Sequence, residues 1–223
     1  MSLQKILFVT LICFICANVY SQRRYGDGDY NRIGITGGLA IFDINTDDFI
    51  TESRTGFIGG FTTRGSYRNN FDLIYGINFV SNEIGISAIG TGTNIGDQQF
   101  IIYTIIGAQI NFLVSYNIVK PYLSIEVGPM LQLNGNMKLK NDRFADYNID
   151  GYTNLTAEDI QDISPINGLG YAGLSVGLKS FKLSGGYQYG FTNTFAKLND
   201  KNLKNEDFKG NIGKIVIAAT VYF

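Results

Sequence analysis

The sequence of 223 residues contains no histidine, and its two cysteines, Cys13 and Cys16, both lie near the N-terminus. Histidine is the usual general base near neutral pH, and histidine and cysteine supply most zinc sites and many activated nucleophiles. Their absence argues against the common hydrolase, acyltransferase and zinc-enzyme arrangements. We therefore expect a protein that is not an enzyme, with no catalytic residue, no metal site and no cofactor.

Long apolar runs, tryptophan and proline are also scarce. After residue 22 no window holds the roughly 18 apolar residues of a transmembrane helix, and the chain has 3 prolines and no tryptophan. The 18 basic and 19 acidic residues nearly balance, so nothing favours nucleic acid as a partner. Glycine, with 27 residues, and the 16 Phe and 14 Tyr are abundant. This composition is typical of a closed antiparallel sheet.

The first 21 residues have the organisation of a cleavable export signal. Lys5 provides the positive charge, residues 6–17 form the apolar segment, and short residues precede the expected cut after Ser21. The apolar segment is too short to favour the alternative, a retained anchor helix. We expect a signal peptide over residues 1–21 and a short periplasmic tail over 22–29. The mature chain then has no cysteine and no disulfide.

Period-two alternation is clearest at the C-terminus. One face of residues 213–223 carries Gly213, Ile215, Ile217, Ala219, Val221 and Phe223, and the other carries Lys214, Val216, Ala218, Thr220 and Tyr222. Strands of soluble domains usually have about 5–6 residues, whereas a tilted strand that crosses a membrane needs about 9–11. The length of this segment therefore favours a membrane strand.

Seven earlier segments repeat the alternation, near residues 32–42, 55–65, 70–81, 99–113, 121–133, 169–179 and 181–191. In each segment the aliphatic and aromatic side chains share one face. The charged strand residues, on the opposite face, are Arg64, Asp72, Glu126, Lys182 and Lys214. An apolar exterior around a polar interior is the pattern that lipid requires of a barrel. The alternatives, a soluble sandwich or a lipocalin-like barrel, would bury the apolar face.

The predicted connections alternate in length. Short turns follow predicted strands two, four and six, at residues 66–69, 115–120 and 179–180, and longer loops follow the others, at 43–54, 82–98, 134–167 and 196–210. Outer-membrane barrels have short periplasmic turns and longer extracellular loops. The sequence therefore predicts an all-β fold: an eight-stranded antiparallel up-and-down transmembrane β-barrel of OmpA/OmpX-like architecture over residues 30–223. We expect it in the outer membrane, with both termini in the periplasm.

Two groups of polar residues admit two interpretations each. The inward charges could form an ion path or an internal salt-bridge cluster that fills a narrow lumen, and the narrow interior of eight strands favours the cluster. Residues 146–151 match the first half of an EF-hand calcium loop, but Ala157 stands where its closing Glu belongs. A polar extracellular loop is therefore the favoured interpretation of this segment.

Four sequence stretches and the chain end resemble the PorT-like outer-membrane β-barrel family of Bacteroidetes, over nearly all of the mature chain. The stretches are residues 33–39, 55–61, 120–130 and 185–193, of which the third begins Lys-Pro-Tyr-Leu and closes on Gly-Pro-Met. The terminal Thr220-Val-Tyr-Phe223 resembles the signal that the barrel-assembly machinery reads. The resemblance implies a barrel fold and an outer-membrane location. It implies no single activity, although one namesake of the family serves type IX secretion.

Three functions remain as hypotheses. The first is a structural or interaction role, in which the long loops bind a partner. The second is an accessory role in protein secretion, which the family resemblance implies, and the third is a narrow pore or small-solute transporter. The expected partners are membrane lipid, the barrel-assembly machinery through the strand that ends at Phe223, and an envelope or secretion protein.

Overall fold

The computed structural model describes residues 30–92, 95–201 and 207–223. The predicted signal peptide (1–21) and the predicted tail (22–29) lie outside the described residues. The described chain is almost entirely β-structure, because alternating β-branched and aromatic residues suit a pleated surface with two different faces. The strands are β1 (Asn31–Asn45), β2 (Thr51–Arg68), β3 (Phe71–Ile89), β4 (Gln98–Val119), β5 (Leu123–Leu139), β6 (Asn148–Ile149), β7 (Ile166–Gly177), β8 (Phe181–Gly190) and β9 (Asn211–Tyr222).

Eight of these strands form a closed ring. Each pairs antiparallel with the next long strand along the chain, and β9 pairs with β1 to close the cylinder. The two-residue strand β6 lies outside the ring and pairs with the last two residues of β3. The structure therefore confirms the predicted eight-stranded antiparallel up-and-down barrel. Within the described ranges, no helix is long and apolar enough to cross a membrane.

The two ends of the barrel differ in their connections. One end carries the short turns at residues 69–70, 120–122 and 178–180, together with Phe223, whose backbone N–H donates to the Ile33 carbonyl at 2.8 Å. We call it the turn end. The other, the loop end, carries residues 46–50, 90–97, 140–165 and 191–210. The segment 191–210 contains a four-residue helix, α1 (Ala196–Asn199).

The predicted faces of the strands are confirmed. Apolar residues cover the outside of the barrel: Phe57, Phe79 and Ile217 are 63%, 65% and 58% exposed. All five charged strand residues assigned to the opposite face point inward and are buried: Arg64, Asp72, Glu126, Lys182 and Lys214.

Inward glycines let the strands and the lumen pack closely. A Cβ on Gly60 would lie 2.1 Å from the carbonyl oxygen of Ile77 on the neighbouring strand. Gly173 and Gly186 face each other across β7 and β8, and a Cβ on either would overlap the ring of Tyr171. These positions need glycine because backbone or ring atoms occupy the space of a side chain.

Several predicted loops and turns were too long. The loop predicted at 43–54 is reduced to 46–50, the turn predicted at 115–120 lies at 120–122, and the largest errors concern β3 and β5. Strand β3 continues to Ile89 and β5 continues to Leu139, so the first part of each predicted loop, 82–98 and 134–167, is strand. The physical reason is that Ile84, Ile86 and Met137 are fully buried inside the barrel at the loop end. Their burial stabilises strand well beyond the segment whose outer face is apolar.

Candidate functional site

The lumen near the turn end is built around one arginine. The Arg64 guanidinium, on β2, donates to Asp72 Oδ2 at 2.8 Å and to Glu126 Oε1 at 2.9 Å. It also donates to the hydroxyls of Ser115 at 2.6 Å and Ser124 at 3.0 Å. Both carboxylates therefore form an ion pair with the same guanidinium inside the barrel. Buried charges require such pairing, because removal from water is costly unless a counter-charge and hydrogen bonds replace it.

The strand register explains how these residues meet. Asp72, Ser115 and Glu126 lie in one row across β3, β4 and β5, since Asp72 is opposite Ser115 and Ser115 is opposite Glu126. Arg64 lies on β2, the strand on the other side of β3. All four residues stand at inward positions, so period-two alternation brings them into one narrow space. We call these four residues the Arg64 cluster.

Of the cations that the sequence placed in the lumen, the structure puts only Arg64 in an ion pair with Glu126. Lys182 donates instead to the backbone carbonyl of Pro121 at the turn end. Lys214 lies deeper in the barrel, where its Nζ is 3.5 Å from Gln132 Oε1. The internal salt-bridge cluster is thus present in the structure. Of the five inward charges, its ion pairs join Arg64, Asp72 and Glu126 and do not include Lys182 or Lys214.

A layer of amides crosses the middle of the lumen. Gln109 Nε2 donates to Gln132 Oε1 at 2.7 Å and to Gln188 Oε1 at 2.9 Å, which links β4 to β5 and β8. Lys214 contributes from β9. A cavity of about 70 Å³ lies between this layer and the Arg64 cluster. Hydroxyl, amide and charged groups line much of it, among them Thr62, Asn78, Asn111, Glu126, Lys182 and Gln188.

The lumen near the loop end is apolar, which the sequence interpretation did not foresee. Inward side chains of the strands meet side chains from the segments 140–165 and 191–210 in one buried cluster. We call this cluster the apolar plug. Its fully buried members include Phe42, Ile44, Ile84, Ile86, Ile101, Tyr103, Ile105, Met137, Ile149, Ile160, Phe195 and Leu198.

Aromatic contacts and one hydrogen bond fix the loops against the plug. The ring of Phe49 stacks on Phe208 at 5.3 Å and meets Phe195 edge-on at 5.1 Å. The Tyr103 hydroxyl donates to the Ala157 carbonyl at 3.0 Å, so the segment 140–165 is tied across the barrel mouth. The loop end is consequently a folded cap with its own core, and not a set of free loops.

The segment proposed as half of a calcium loop uses its polar groups for other contacts. Asp150 Oδ2 accepts hydrogen bonds from Ser87 Oγ at 3.0 Å and Gln98 Nε2 at 2.6 Å, and Asn148 donates to the Thr153 carbonyl. Across the described parts of the chain, no three acidic side chains come together in an arrangement that could hold a metal ion. These contacts fasten the segment to β3 and β4, as expected of a polar structural loop.

Ionisable groups on the cap also tie its segments together. Asp162 accepts from Lys201 Nζ at 2.5 Å, with Lys197 Nζ at 3.8 Å, and the hydrogen bond with Lys201 holds the pKa of this carboxyl below its usual range. The Tyr152 hydroxyl donates to the Asp48 carbonyl at 3.1 Å. Partial burial, and then the charge of Asp48, raises the pKa of Tyr152.

Taken together, the lumenal groups form contacts that stabilise the barrel. The two lumenal carboxylates share one guanidinium and the middle layer is bonded amide to amide. The mouth at the loop end is filled with apolar side chains. An open ion path would require a continuous water-filled lumen, which eight strands seldom leave.

Comparison with known proteins adds a likeness in structure only. No protein-family model and no curated protein matches the sequence. Among solved structures, Neisserial surface protein A is similar at 13% identity and a TM-score of 0.46, over 86% of this chain and 97% of that chain. Ail, the attachment invasion locus protein of Yersinia pestis, is similar at 13% identity and a TM-score of 0.45, over 86% of this chain and 99% of that chain. The assignment as a barrel rests on the strand pairing itself.

Proposed function

We propose that this protein is an integral outer-membrane β-barrel whose role is structural or in partner binding, with its loop-end cap as the contact surface. The observation that carries the proposal is the outer face near the turn end, where a band of exposed aliphatic and aromatic side chains surrounds a charged interior. This arrangement is the one that lipid requires. The closed ring of strands pairs its backbone groups internally, and its apolar side chains face outward.

The orientation follows from the same features. Short turns and both ends of the barrel domain share one end, which in outer-membrane barrels is the periplasmic one. The predicted export signal would deliver the chain to that compartment. The cap would then face the cell exterior.

Heat-modifiable migration and fractionation test the location. A compact barrel extracted from outer membranes should migrate differently in SDS gels before and after boiling. Recovery in a soluble fraction, with a single migration position, would overturn the membrane assignment.

A single substitution on the outer face tests the same proposal at residue level. Tyr75, on the outside of β3, is 45% exposed and lies midway between Phe71 and Phe79. Tyr75→Arg near the middle of the membrane should lower the free energy of unfolding from lipid by about 2–4 kcal/mol. Tyr75→Phe is the matched control and should stay close to wild type. Equal stability of the arginine variant would contradict the assigned outer face.

The filled lumen argues against the pore hypothesis. Purified protein in planar bilayers should give no channel currents, because the Arg64 cluster and the apolar plug obstruct the axis at two depths. Steady ohmic conductance would support the pore hypothesis. Loss of that conductance on substitution of the salt-bridge residues would place the ion path through the Arg64 cluster.

Two partners are proposed on narrower grounds. The strand β9, followed by the exposed Phe223, would dock on the barrel-assembly machinery, and deletion of Phe223 should reduce insertion. The resemblance to the PorT-like family makes an accessory role in secretion the second candidate. Loss of secreted proteins on gene deletion, or co-purification with secretion subunits, would favour that role over a purely structural one.

A further inference from the structure

Among the side chains that the structure describes, the exposed charges at the turn end are all of one sign. Arg32, Arg68, Lys120 and Lys179 lie at or beside the short turns, and Arg68, Lys120 and Lys179 are well exposed. The acidic strand residue nearest to this end, Asp72, is buried inside the barrel in contact with Arg64. The turn end therefore presents a positive rim.

Two cations of the rim are held against the turns by hydrogen bonds to the backbone. Lys120 Nζ donates to the carbonyl of Asn69, so Lys120 lies against the turn that Arg68 enters. Arg32, in β1, donates to the carbonyl of Lys179. Each contact brings one cationic side chain to a turn that contains or follows a second basic residue. Lys120, Lys179 and Arg68 take part in none of the salt bridges found among the described residues.

Aromatic residues place the rim at a definite depth. Phe71 and Tyr116 pack together on the outer face at 5.1 Å, next to the turn at residues 69–70. Other exposed aromatics at this end are Tyr67, Tyr122, Phe181 and Phe223. Aromatic rings of membrane proteins collect at the interface between hydrocarbon and headgroups. The rim lies within one or two residues of these rings along the chain, so its cations reach the headgroup layer.

The loop end has the opposite charge. Among the described residues outside the lumen, it carries fourteen acidic and seven basic side chains, a net charge of −7, while the turn end carries four basic side chains. The separation cannot be a by-product of overall composition, since the described charges nearly cancel in sum. Among the described residues outside the lumen, the barrel is therefore positively charged at the turn end and negatively charged at the loop end.

From these observations we propose that the turn end binds the headgroups of anionic phospholipids, through the cations of the positive rim. The proposal rests on the proposed membrane location. It adds a lipid preference confined to one end of the barrel. Phosphate is the fitting group because guanidinium and ammonium donors recognise its oxygens, and because each cation near an anionic surface adds about 1 kcal/mol of attraction.

The test measures which lipids surround the reconstituted full-length barrel. Spin-labelled phosphatidylglycerol and phosphatidylcholine are compared at the protein boundary, in vesicles of phosphatidylcholine at low salt. The wild-type protein should favour phosphatidylglycerol by about fivefold or more, a factor equivalent to one cation near the surface. The preference should fall towards unity in 1 M salt, since the rim is solvent-exposed and screened.

The decisive variant is R68Q/K120Q/K179Q, which keeps hydrogen-bond donors at Lys120 and removes three rim charges. Its preference for phosphatidylglycerol should drop to about unity. The matched control, K138Q/K140Q/K209Q, removes three cations from the loop end and should keep the wild-type preference. The proposal would be overturned by an equal loss of preference in both variants, by an unchanged preference in the rim variant, or by no preference in the wild type. If the wild type showed no preference, an acidic protein would be the partner of the rim to test next.

Heat-modifiable migration of each reconstituted sample separates this proposal from the membrane assignment. A barrel that inserts and shifts on boiling, yet shows no lipid preference, refutes the headgroup site alone. A protein that fails to insert refutes the membrane location, and its lipid preference then cannot be measured.

Discussion

The interior of the barrel differs between its turn half and its loop half. Near the turns, charged and hydroxyl groups converge on Arg64, and the outer wall is apolar. Near the loops, the interior is filled by aliphatic and aromatic side chains, and the outer positions of β3 are polar. The turn half has the inverted pattern of a protein in lipid. At the end of β3, the loop half has the ordinary pattern of a protein in water, whereas Phe100 on the neighbouring strand β4 is exposed on the outside.

A single strand contains both patterns. At the start of β3, Phe71 and Tyr75 face outward and Asp72 faces inward. At its end, Ile84 and Ile86 face inward, and Glu83 lies on the outer side. The pairing of β3 with β4 runs without a bulge over this whole length, so the change comes from the residues and not from a shift of register.

In the proposed membrane location, the point at which the pattern reverses would mark the edge of the hydrocarbon. On the outer face of β3, Phe79 is followed by Ser81, Glu83, Gly85 and Ser87, and no large apolar residue returns before Ile89 at the strand end. Strand β3 has 19 residues, about twice the 9–11 that a tilted crossing needs. The loop half is therefore a water-exposed extension of the barrel, and its core must be apolar because no lipid is available to cover apolar side chains.

The largest effect is expected in the turn half, from Arg64→Met. This change leaves Asp72 and Glu126 buried without their cation, which should lower the free energy of unfolding by about 3–5 kcal/mol. Urea-induced unfolding from lipid vesicles, followed by gel migration, measures it.

Neutralising the partners provides the control. The triple variant R64M/D72N/E126Q removes the charges together and should recover most of the stability, since uncharged groups of similar volume often replace a buried ion network at little cost. If the triple variant were as unstable as Arg64→Met, packing and not charge would be the source of the loss.

The loop half should respond to Leu198→Ala, which opens a cavity in the apolar plug. Leu198 is fully buried in α1, and truncation of a buried leucine costs about 2–5 kcal/mol. Hydrogen exchange of the segments 140–165 and 191–210 should accelerate, while the turn half keeps its protection. Leu131→Ala removes the same atoms from the outer face of β5 and should leave exchange at the loop end unchanged. Uniform acceleration through the barrel would show that the two halves unfold as one unit.

The turn half could be predicted closely from the sequence, and the loop half could not. The alternation in residues 70–81 identified β3, its outward Phe79 and its inward Asp72, because lipid and lumen impose opposite demands on neighbouring residues. Residues 82–89 carry the same period in the opposite phase, with Ile84, Ile86 and Ala88 inward. Because strands were assigned by an apolar outer face, residues 82–89 were predicted to be loop.

Contacts distant in sequence explain the other gap. The plug joins strand residues such as Phe42 to Phe195 and Ile160, which stand in segments without regular alternation. No local period reveals such packing. The signal in the sequence that could have indicated the apolar plug is the presence of single isoleucine, leucine and phenylalanine residues within the Asn- and Asp-rich loop segments. Such residues are not needed in a loop that is exposed throughout.

At the junction of the two halves, Lys214→Met should have a small effect. Lys214 is almost fully buried, and its Nζ has a contact at 3.5 Å to Gln132 in the amide layer. Replacing a buried charge by an apolar side chain of similar length should change the free energy of unfolding by no more than about 1 kcal/mol, and it could raise stability. A loss comparable to that of Arg64→Met would mean that the polar network of the turn half extends to this layer.

The smallest effect is expected on the cap surface, from Asp162→Asn. Asp162 joins the segments 140–165 and 191–210 through Lys201 and Lys197, and a surface ion pair of this kind contributes about 0–1 kcal/mol. Because Lys201 lowers the pKa of Asp162 in the folded state, the contribution is present above the usual carboxyl range. It disappears as pH falls below about 4 and the carboxyl becomes protonated.

Hydrogen exchange of residues 155–165, corrected for intrinsic rates, should therefore be faster in Asp162→Asn than in wild type at pH 7. The difference between the two proteins should shrink as the pH falls below about 4 and through the lowered pKa of Asp162, and high salt should narrow it at pH 7. A difference that persisted once Asp162 was protonated would assign the effect to the hydrogen bond from Asn136 to Asp162 and not to the lysines. The cap would then be held by packing and neutral hydrogen bonds alone, in sharper contrast to the turn half.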